Sequence, residues 1–251
     1  MKIKVIHLSK ILLFLTLLVT LLTVGISIVI ATSEDYIEVP IIMYHSILKD
    51  SSRSNKYTVT PTVLEEDLKY IKDKGYTTVT ITDLISYVYD NKPLPENPIV
   101  LTFDDGHYNN YGYLFPLLEK YDMKAVISIV GSYTDKFTET DEANLNYSYL
   151  RWKDIKELMD TGRIEFQNHT YNLHSNTGKR IGTKKIKGET DEHYKSILKD
   201  DILKLQQEFE ENTNYTPQCF TYPFGGISNS SLDIIKELGF KASLSLSLIH
   251  I

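Results

Sequence analysis

Pro98-Ile99-Val100-Leu101-Thr102-Phe103-Asp104-Asp105-Gly106 is the stretch on which the reading of this 251-residue chain turns. Its run of apolar residues, with no polar alternation, reads as a strand covered by helices on both faces. It ends in two adjacent carboxylates, which repel one another and cost stability at a strand mouth unless a cation or a proton holds them. Gly106 permits the tight backbone turn that aims them into a pocket. Side chains at neighbouring strand positions point in different directions, so Asp104 and Asp105 can take different jobs. Standing alone, Asp-Asp-Gly is also a common surface turn.

Outward from this strand, strand-like and helix-like stretches alternate, as in parallel β/α units. Strands are predicted at Val39–Tyr44, Tyr76–Thr80, Ile99–Phe103, Ala125–Val130, Ile164–Gln167, Cys219–Tyr222 and Phe240–Ser243. Helices with one apolar face carry Leu64, Leu68 and Ile71, then Tyr111, Leu114, Phe115 and Leu118, and a long one covers about Asp191 to Glu211. Seven such units predict an α/β chain folded as a barrel of the TIM type, incomplete at its C-terminal end, with active residues at the C-terminal ends of strands. Gly131 to Tyr149 reads as a polar, acidic loop. Ser175 to Thr190, with Lys179, Arg180, Lys184, Lys185 and Lys187, reads as a solvated basic loop, or as a contact for anionic glycan or lipid headgroups.

A second cluster strengthens the first. The predicted strand Ile164-Glu165-Phe166-Gln167 runs into Asn168-His169-Thr170-Tyr171-Asn172-Leu173-His174. Five positions apart, the two histidines would lie on different faces of a helix, but on a loop leaving a strand they can converge. One carboxylate and two imidazoles make a three-ligand site with room for water, the open arrangement of a catalytic metal.

Composition narrows the field. A formal charge of −6 argues against nucleic acid as a partner. The one cysteine, Cys219, allows no intramolecular disulfide and reads as a buried small hydrophobe. At the N-terminus, Lys2, Lys4 and Lys10 precede an uncharged stretch from Ile11 to Ile30, and Glu34, Asp35 and Glu38 follow it. Twenty helical residues span ~30 Å, the hydrocarbon thickness of a bilayer. With the basic flank inside, everything after Ile30 is expected outside the cell membrane. Ala31-Thr32-Ser33 also passes as a cleavage site, so residues 1–33 are expected to be a membrane anchor or a removed signal peptide. Residues 34–245 form the expected catalytic domain, taken to be a monomer. The segment Leu246–Ile251 reads as a non-native tail, matching what a sequencing adapter encodes in frame, with the natural protein continuing past Ser245.

Thr102-Phe103-Asp104-Asp105-Gly106 resembles the first signature of the polysaccharide deacetylase family with NodB homology. His169-Thr170 through His174 resembles its second, and Tyr222-Pro223-Phe224-Gly225 its third. The resemblance runs from about Val39 to Ser243 and implies a distorted (β/α)7-type barrel that removes N-acetyl groups from N-acetylglucosamine polymers. It implies further that Asp105, His169 and His174 hold a divalent metal, zinc foremost, with cobalt, nickel and iron also suited. Asp104 would be the general base, and the backbone N–H of Phe224, flanked by Tyr222 and Pro223, would stabilise the oxyanion. Four residues between the histidines, and Thr221-Tyr222 before Pro223, resemble the exopolysaccharide (poly-N-acetylglucosamine) deacetylases more than the peptidoglycan enzymes.

The family's usual last motif, Leu-x-His, matches Leu248-Ile249-His250 only as a string, because no room is left after the seventh strand. The general acid is expected instead at His45, which closes the predicted first strand with Met43-Tyr44, the N-terminal signature of the exopolysaccharide type. In a closed barrel the first and last strands are neighbours, so this imidazole could fill the place of a C-terminal one. It is expected to titrate near ~6.5, or higher beside a carboxylate. Two other readings share the scaffold: an amidase acting on a non-sugar amide, and a glycan-binding protein without catalysis.

Overall fold

The computed structural model describes residues 12–23, 37–245 and 249–250, and the chain divides into two units, Met1–Glu38 and Val39–Ile251. In the first unit, residues 12–23 are helical, and large apolar side chains such as Leu13, Phe14 and Leu21 are exposed. Among the described residues no helix is long and apolar enough to cross a membrane, and the predicted span from Ile11 to Ile30 lies partly outside them.

The second unit is the α/β fold that the alternation predicts. Its strands are β1 (Ile41–Tyr44), β2 (Ser46–Ile47), β3 (Thr58–Val59), β4 (Thr77–Thr78), β5 (Pro98–Asp105), β6 (Ala125–Ile129), β7 (Ile164–Asn168), β8 (Cys219–Thr221), β9 (Ala242–Leu244) and β10 (Ile249–His250). All seven predicted strands are present, as β1 and β4 to β9. The parallel ladder runs β1-β5-β6-β7-β8-β9, with β4 on the first residues of β5, β10 antiparallel to β9, and β2 paired with β3 apart.

The expectation of a closed barrel needs correction: among the described residues β1 pairs with β5 and not with β9, so the barrel is open at that seam. Apolar side chains fill the seam instead. Val39 and Ile41 pack with Val100, Val126, Cys219, Ala242 and Leu244 inside the curved sheet. Cys219 is free and buried there, as expected, and burial pushes its thiol well above the usual range. The opposite face carries the larger core, Leu101, Phe103, Ile127 and Phe166, beneath the helices.

These helices are α1 (Pro61–Asp73), α2 (Ile81–Asp90), α3 (Phe115–Tyr121), α4 (Gly131–Thr140), α5 (Trp152–Asp160), α6 (Asp191–Thr213) and α7 (Asn229–Glu237). Their starts are written locally. Thr60 caps α1 through its side chain with Pro61 in the first turn, and Thr80 and Asp83 form a reciprocal capping box on α2. α6 presents Tyr194, Leu198, Ile202, Leu205 and Phe209 to the core, the spacing its sequence predicts.

The predicted loop from Gly131 to Tyr149 is overturned in its first half, which is α4. Its buried positions are Gly131, Thr134 and Phe137, so two of the three inward residues are small or polar and leave no apolar stripe to read. Ser175 to Thr190 does lack strand and helix. Arg180 pairs with Glu189 and Lys185 with Asp191, while Thr183 is buried with its hydroxyl donating to the Gly226 carbonyl at 3.1 Å. Two of the loop's five cations are thus paired, one within the loop and one with α6, and its middle is pinned to the fold.

Between α4 and α6 lies a partly buried carboxyl group. Burial, with Asp135 facing it, pushes Glu208 up to about 7, against Lys204 at 3.9 Å. A carboxyl whose folded value is raised contributes stability below its unfolded value and loses it as pH rises through the folded one. Melting temperature is therefore expected to fall between about pH 4.5 and 7 from this group, and Glu208→Gln should flatten that slope. Thermal melts at pH 4.5, 6 and 8 check this; parallel curves for parent and variant would refute it.

Candidate metal centre and cleft

β5 delivers both carboxylates to one cleft of about 870 Å3, which His45, His107, Tyr149, His169, His174, Thr221 and Phe224 also line. Strict strand alternation would send Asp104 and Asp105 to opposite faces. Asp105 instead has φ of +74°, in the left-handed region, which turns its side chain back towards the cavity. Gly106 follows with φ of +74°, and a Cβ there would lie 2.8 Å from Ile129 Cγ2, so glycine is required on two counts.

His169 directly follows β7 and is 2 % exposed. Its Nδ1 lies 2.8 Å from the Thr221 carbonyl, which can only accept, so Nδ1 carries the proton and Nε2 presents a lone pair. That Nε2 is 3.5 Å from Asp105 Oδ1, and His174 Nε2 is 3.0 Å from the same oxygen. The three donor atoms lie within 4.8 Å of one another. Burial pushes the Asp105 carboxyl up, but His107, His169 and His174 together hold it well below the usual carboxylate range. An ionised carboxylate oxygen facing two imidazole nitrogens calls for a cation, a proton or a metal ion, among them. The donor set and its spacing therefore fit a divalent metal of the kind expected from the sequence.

Asp104 is 5 % exposed, and its Oδ1 has no hydrogen-bond partner. Burial raises its pKa, opposed by His169 and His45. His45 reaches the cleft by a route other than the one expected. Tyr44 pairs with Phe103, so the next step along β1 sets His45 beside Asp104, through β5 and not through the last strand. Its ring leans on Tyr57 with centroids 5.0 Å apart, and its carbonyl accepts from Asn110 Nδ2 at 3.1 Å. Burial lowers its pKa below the usual imidazole value despite the nearby Asp104 and Asp105 carboxylates, a correction to the expected titration near or above ~6.5.

The third motif enters differently at each position. Phe224 has φ of +55°, and its ring lies 4.6 Å from that of His174. Pro223 is buried, its carbonyl 2.6 Å from where a Cβ on Gly182 would be, so the basic loop seats directly on it. Tyr222 borders the cleft, but its ring is 2 % exposed and packs in the outer core against Phe220 at 4.9 Å. A substrate contact by the Tyr222 ring is thus not supported.

Three residues in or beside the cleft lie outside the sequence motifs. His107 Nε2 is 3.5 Å from Asp105 Oδ2, and its ring stacks on Tyr149 at 4.7 Å. The Tyr133 hydroxyl donates to the His174 carbonyl at 3.2 Å. His107 adjoins the Asp-Asp-Gly motif and could have been noticed; Tyr133 and Tyr149 lie in the segment read as a loop.

The family profile for polysaccharide deacetylase matches residues 91–243, which carry all three motifs. The chain belongs to the polysaccharide deacetylase family. A poly-beta-1,6-N-acetyl-D-glucosamine N-deacetylase of Escherichia coli (strain K12) is 25 % identical over 223 residues, 82 % of this chain and 33 % of that protein. One of Staphylococcus aureus (strain MSSA476) is 26 % identical over 196 residues, 78 % of this chain and 63 % of its own length. The chain thus spans about a third of the first and under two thirds of the second. Among solved structures, a de-N-acetylase from Aggregatibacter actinomycetemcomitans superimposes with a TM-score of 0.72 at 23 % identity, over 85 % of this chain and 90 % of that one. IcaB from Ammonifex degensii does so with a TM-score of 0.69 at 22 % identity, over 83 % of each. These likenesses establish the fold.

Proposed function

We propose that this polysaccharide deacetylase is a metal-dependent hydrolase that removes N-acetyl groups from poly-N-acetylglucosamine outside the cell membrane. The observation that carries the reading is the meeting of Asp105, His169 and His174 within 4.8 Å, beside a buried carboxyl with an unpartnered oxygen. The names of the relatives in Escherichia coli and Staphylococcus aureus support the polymer. The exposed apolar side chains of residues 12–23 support a membrane anchor, since in water they would remain uncovered. Zinc is the metal best suited to one carboxylate and two imidazoles, with cobalt, nickel and iron compatible.

Asp105, His169 and His174 would hold the ion, which when bound would supply Lewis acidity to the reacting amide. Asp104 accepts the proton of the attacking water, for which its raised pKa makes it a stronger base than an ordinary carboxylate. The Phe224 N–H donates to the oxygen on which charge develops. His45 returns a proton to the amide nitrogen, which leaves poorly unless protonated.

The test is acetate release from poly-β-1,6-N-acetylglucosamine, chitin oligomers and peptidoglycan, with metal content measured on the same preparation. Release greatest on the first polymer is expected; release from none sinks the reading. His45→Ala is expected to keep fold and metal while slowing release by ~10²–10⁴-fold. In the parent, kcat/KM should fall as pH rises through a value below the ordinary ~6.5, because the acid must be protonated and its pKa is lowered by burial. A variant within a few-fold of the parent would place the acid elsewhere.

A further inference from the structure

The two histidines of the centre are joined by a turn whose geometry His169 and His174 do not themselves enforce. Thr170 has φ of +78°, a conformation that a β-branched residue adopts only where its surroundings impose it. Three successive N–H groups of the turn are taken by side chains. Thr170 N–H donates to Asn168 Oδ1 at 2.9 Å, while Tyr171 and Asn172 N–H donate to Asp201 Oδ1 and Oδ2, both at 2.8 Å. Asn168 is fixed in turn, its Nδ2 donating to the Ile202 carbonyl and to Gln206 Oε1, each at 3.2 Å. On the other side, Gly131 and Ser132 N–H donate to the Thr170 and Tyr171 carbonyls at 3.1 and 2.8 Å. Gly131 permits that approach, since a Cβ would lie 2.7 Å from Tyr171 Cδ2.

We propose that Asp201, on α6, is a positioning residue for the metal centre: its carboxylate grips the two central N–H groups of the turn and so sets His174 against His169 and Asp105. The inference rests on the metal reading above and extends it to a helix outside the three sequence motifs. Both oxygens of one carboxylate take adjacent backbone donors, a fork that no neutral side chain reproduces in full. Burial pushes the Asp201 carboxyl up to about 6, so at neutral pH it remains ionised with both oxygens accepting. Removing the fork leaves the turn free to relax from its left-handed Thr170, and His174 moves with it.

The experiment uses the full chain in detergent, stripped of metal and titrated with Zn2+ and, separately, with Co2+. Asp201→Ala is expected to raise the Zn2+ dissociation constant by about 10–100-fold, the usual effect of losing a partner that orients metal ligands. The visible Co2+ bands should shift or weaken as the coordination geometry changes. Asp201→Asn, which keeps one acceptor for two donors, should fall between variant and parent. Leu198→Ala, a truncation in the core cluster on which the turn's Leu173 also packs, lowers the melting temperature but leaves the Asp201 fork intact and should bind metal as the parent does below its melt. An Asp201→Ala protein with parental affinity and Co2+ spectrum overturns the proposal, and so does Leu198→Ala weakening metal to the same degree. If Asp201→Ala does not fold, Asp201→Asn decides, and parental affinity there is refutation. A parent chain that takes up no metal overturns the metal reading and this one together, which separates that failure from failure of the clamp alone.

Discussion

An Asp104→Asn protein is expected to fold, to bind metal as the parent does, and to release acetate about 10²–10⁴-fold more slowly. The carboxamide has nearly the volume of the carboxylate, so the cleft keeps its shape. It cannot take a proton from water, because neither its oxygen nor its nitrogen is basic at working pH. Asp104 is also almost wholly buried, with one oxygen lacking a partner, and burial disfavours its charged form. Replacing it by a neutral group removes that penalty, so the melting temperature of the metal-free protein should hold or rise while activity collapses. Opposite signs on stability and rate distinguish a base held at a cost from a residue that merely packs. Turnover near that of the parent would show that the base lies elsewhere.

Loss of a metal ligand should be more severe still. Asp105→Ala, His169→Ala and His174→Ala are each expected to lose most bound metal, by more than the about 10–100-fold that follows loss of a supporting partner, and with it nearly all activity. The three should differ in stability. His169 is buried and bonded to the Thr221 carbonyl, so its truncation leaves a cavity and an unpaired acceptor. His174 is half-buried between Phe224 and Tyr133, so His174→Ala should melt closest to the parent and gives the clearest reading of ligation. Elemental analysis after dialysis, beside a thermal melt, checks each variant. Stoichiometric metal retained by His174→Ala with parental affinity would remove it from the ligand set.

Much was legible in the chain because it is written locally. Continuous apolar runs mark β5 and β6, since both of their faces are covered. The three-and-four spacing marks α6, and carboxylates and imidazoles at strand ends mark the centre. α4 escaped notice because its buried face is Gly131, Thr134 and Phe137, with nothing for a hydrophobic period to detect. Tyr222 reads as a cleft residue from its place in the motif, yet just past β8 its ring packs in the outer core with Phe220, two positions earlier.

The sequence alone therefore determined the parallel β/α order, the residues able to hold a cation, and the end of each strand at which to find them. Only the tertiary structure decided how they meet. The barrel stays open between β1 and β9, so His45 comes to Asp104 across β5. Left-handed backbone at Asp105, Thr170 and Phe224 turns three loops towards one point, and the Asp201 carboxylate holds the middle one from a helix some thirty residues further on. Such conformations are unfavourable for an isolated residue and persist because distant groups impose them, so no local pattern announces them.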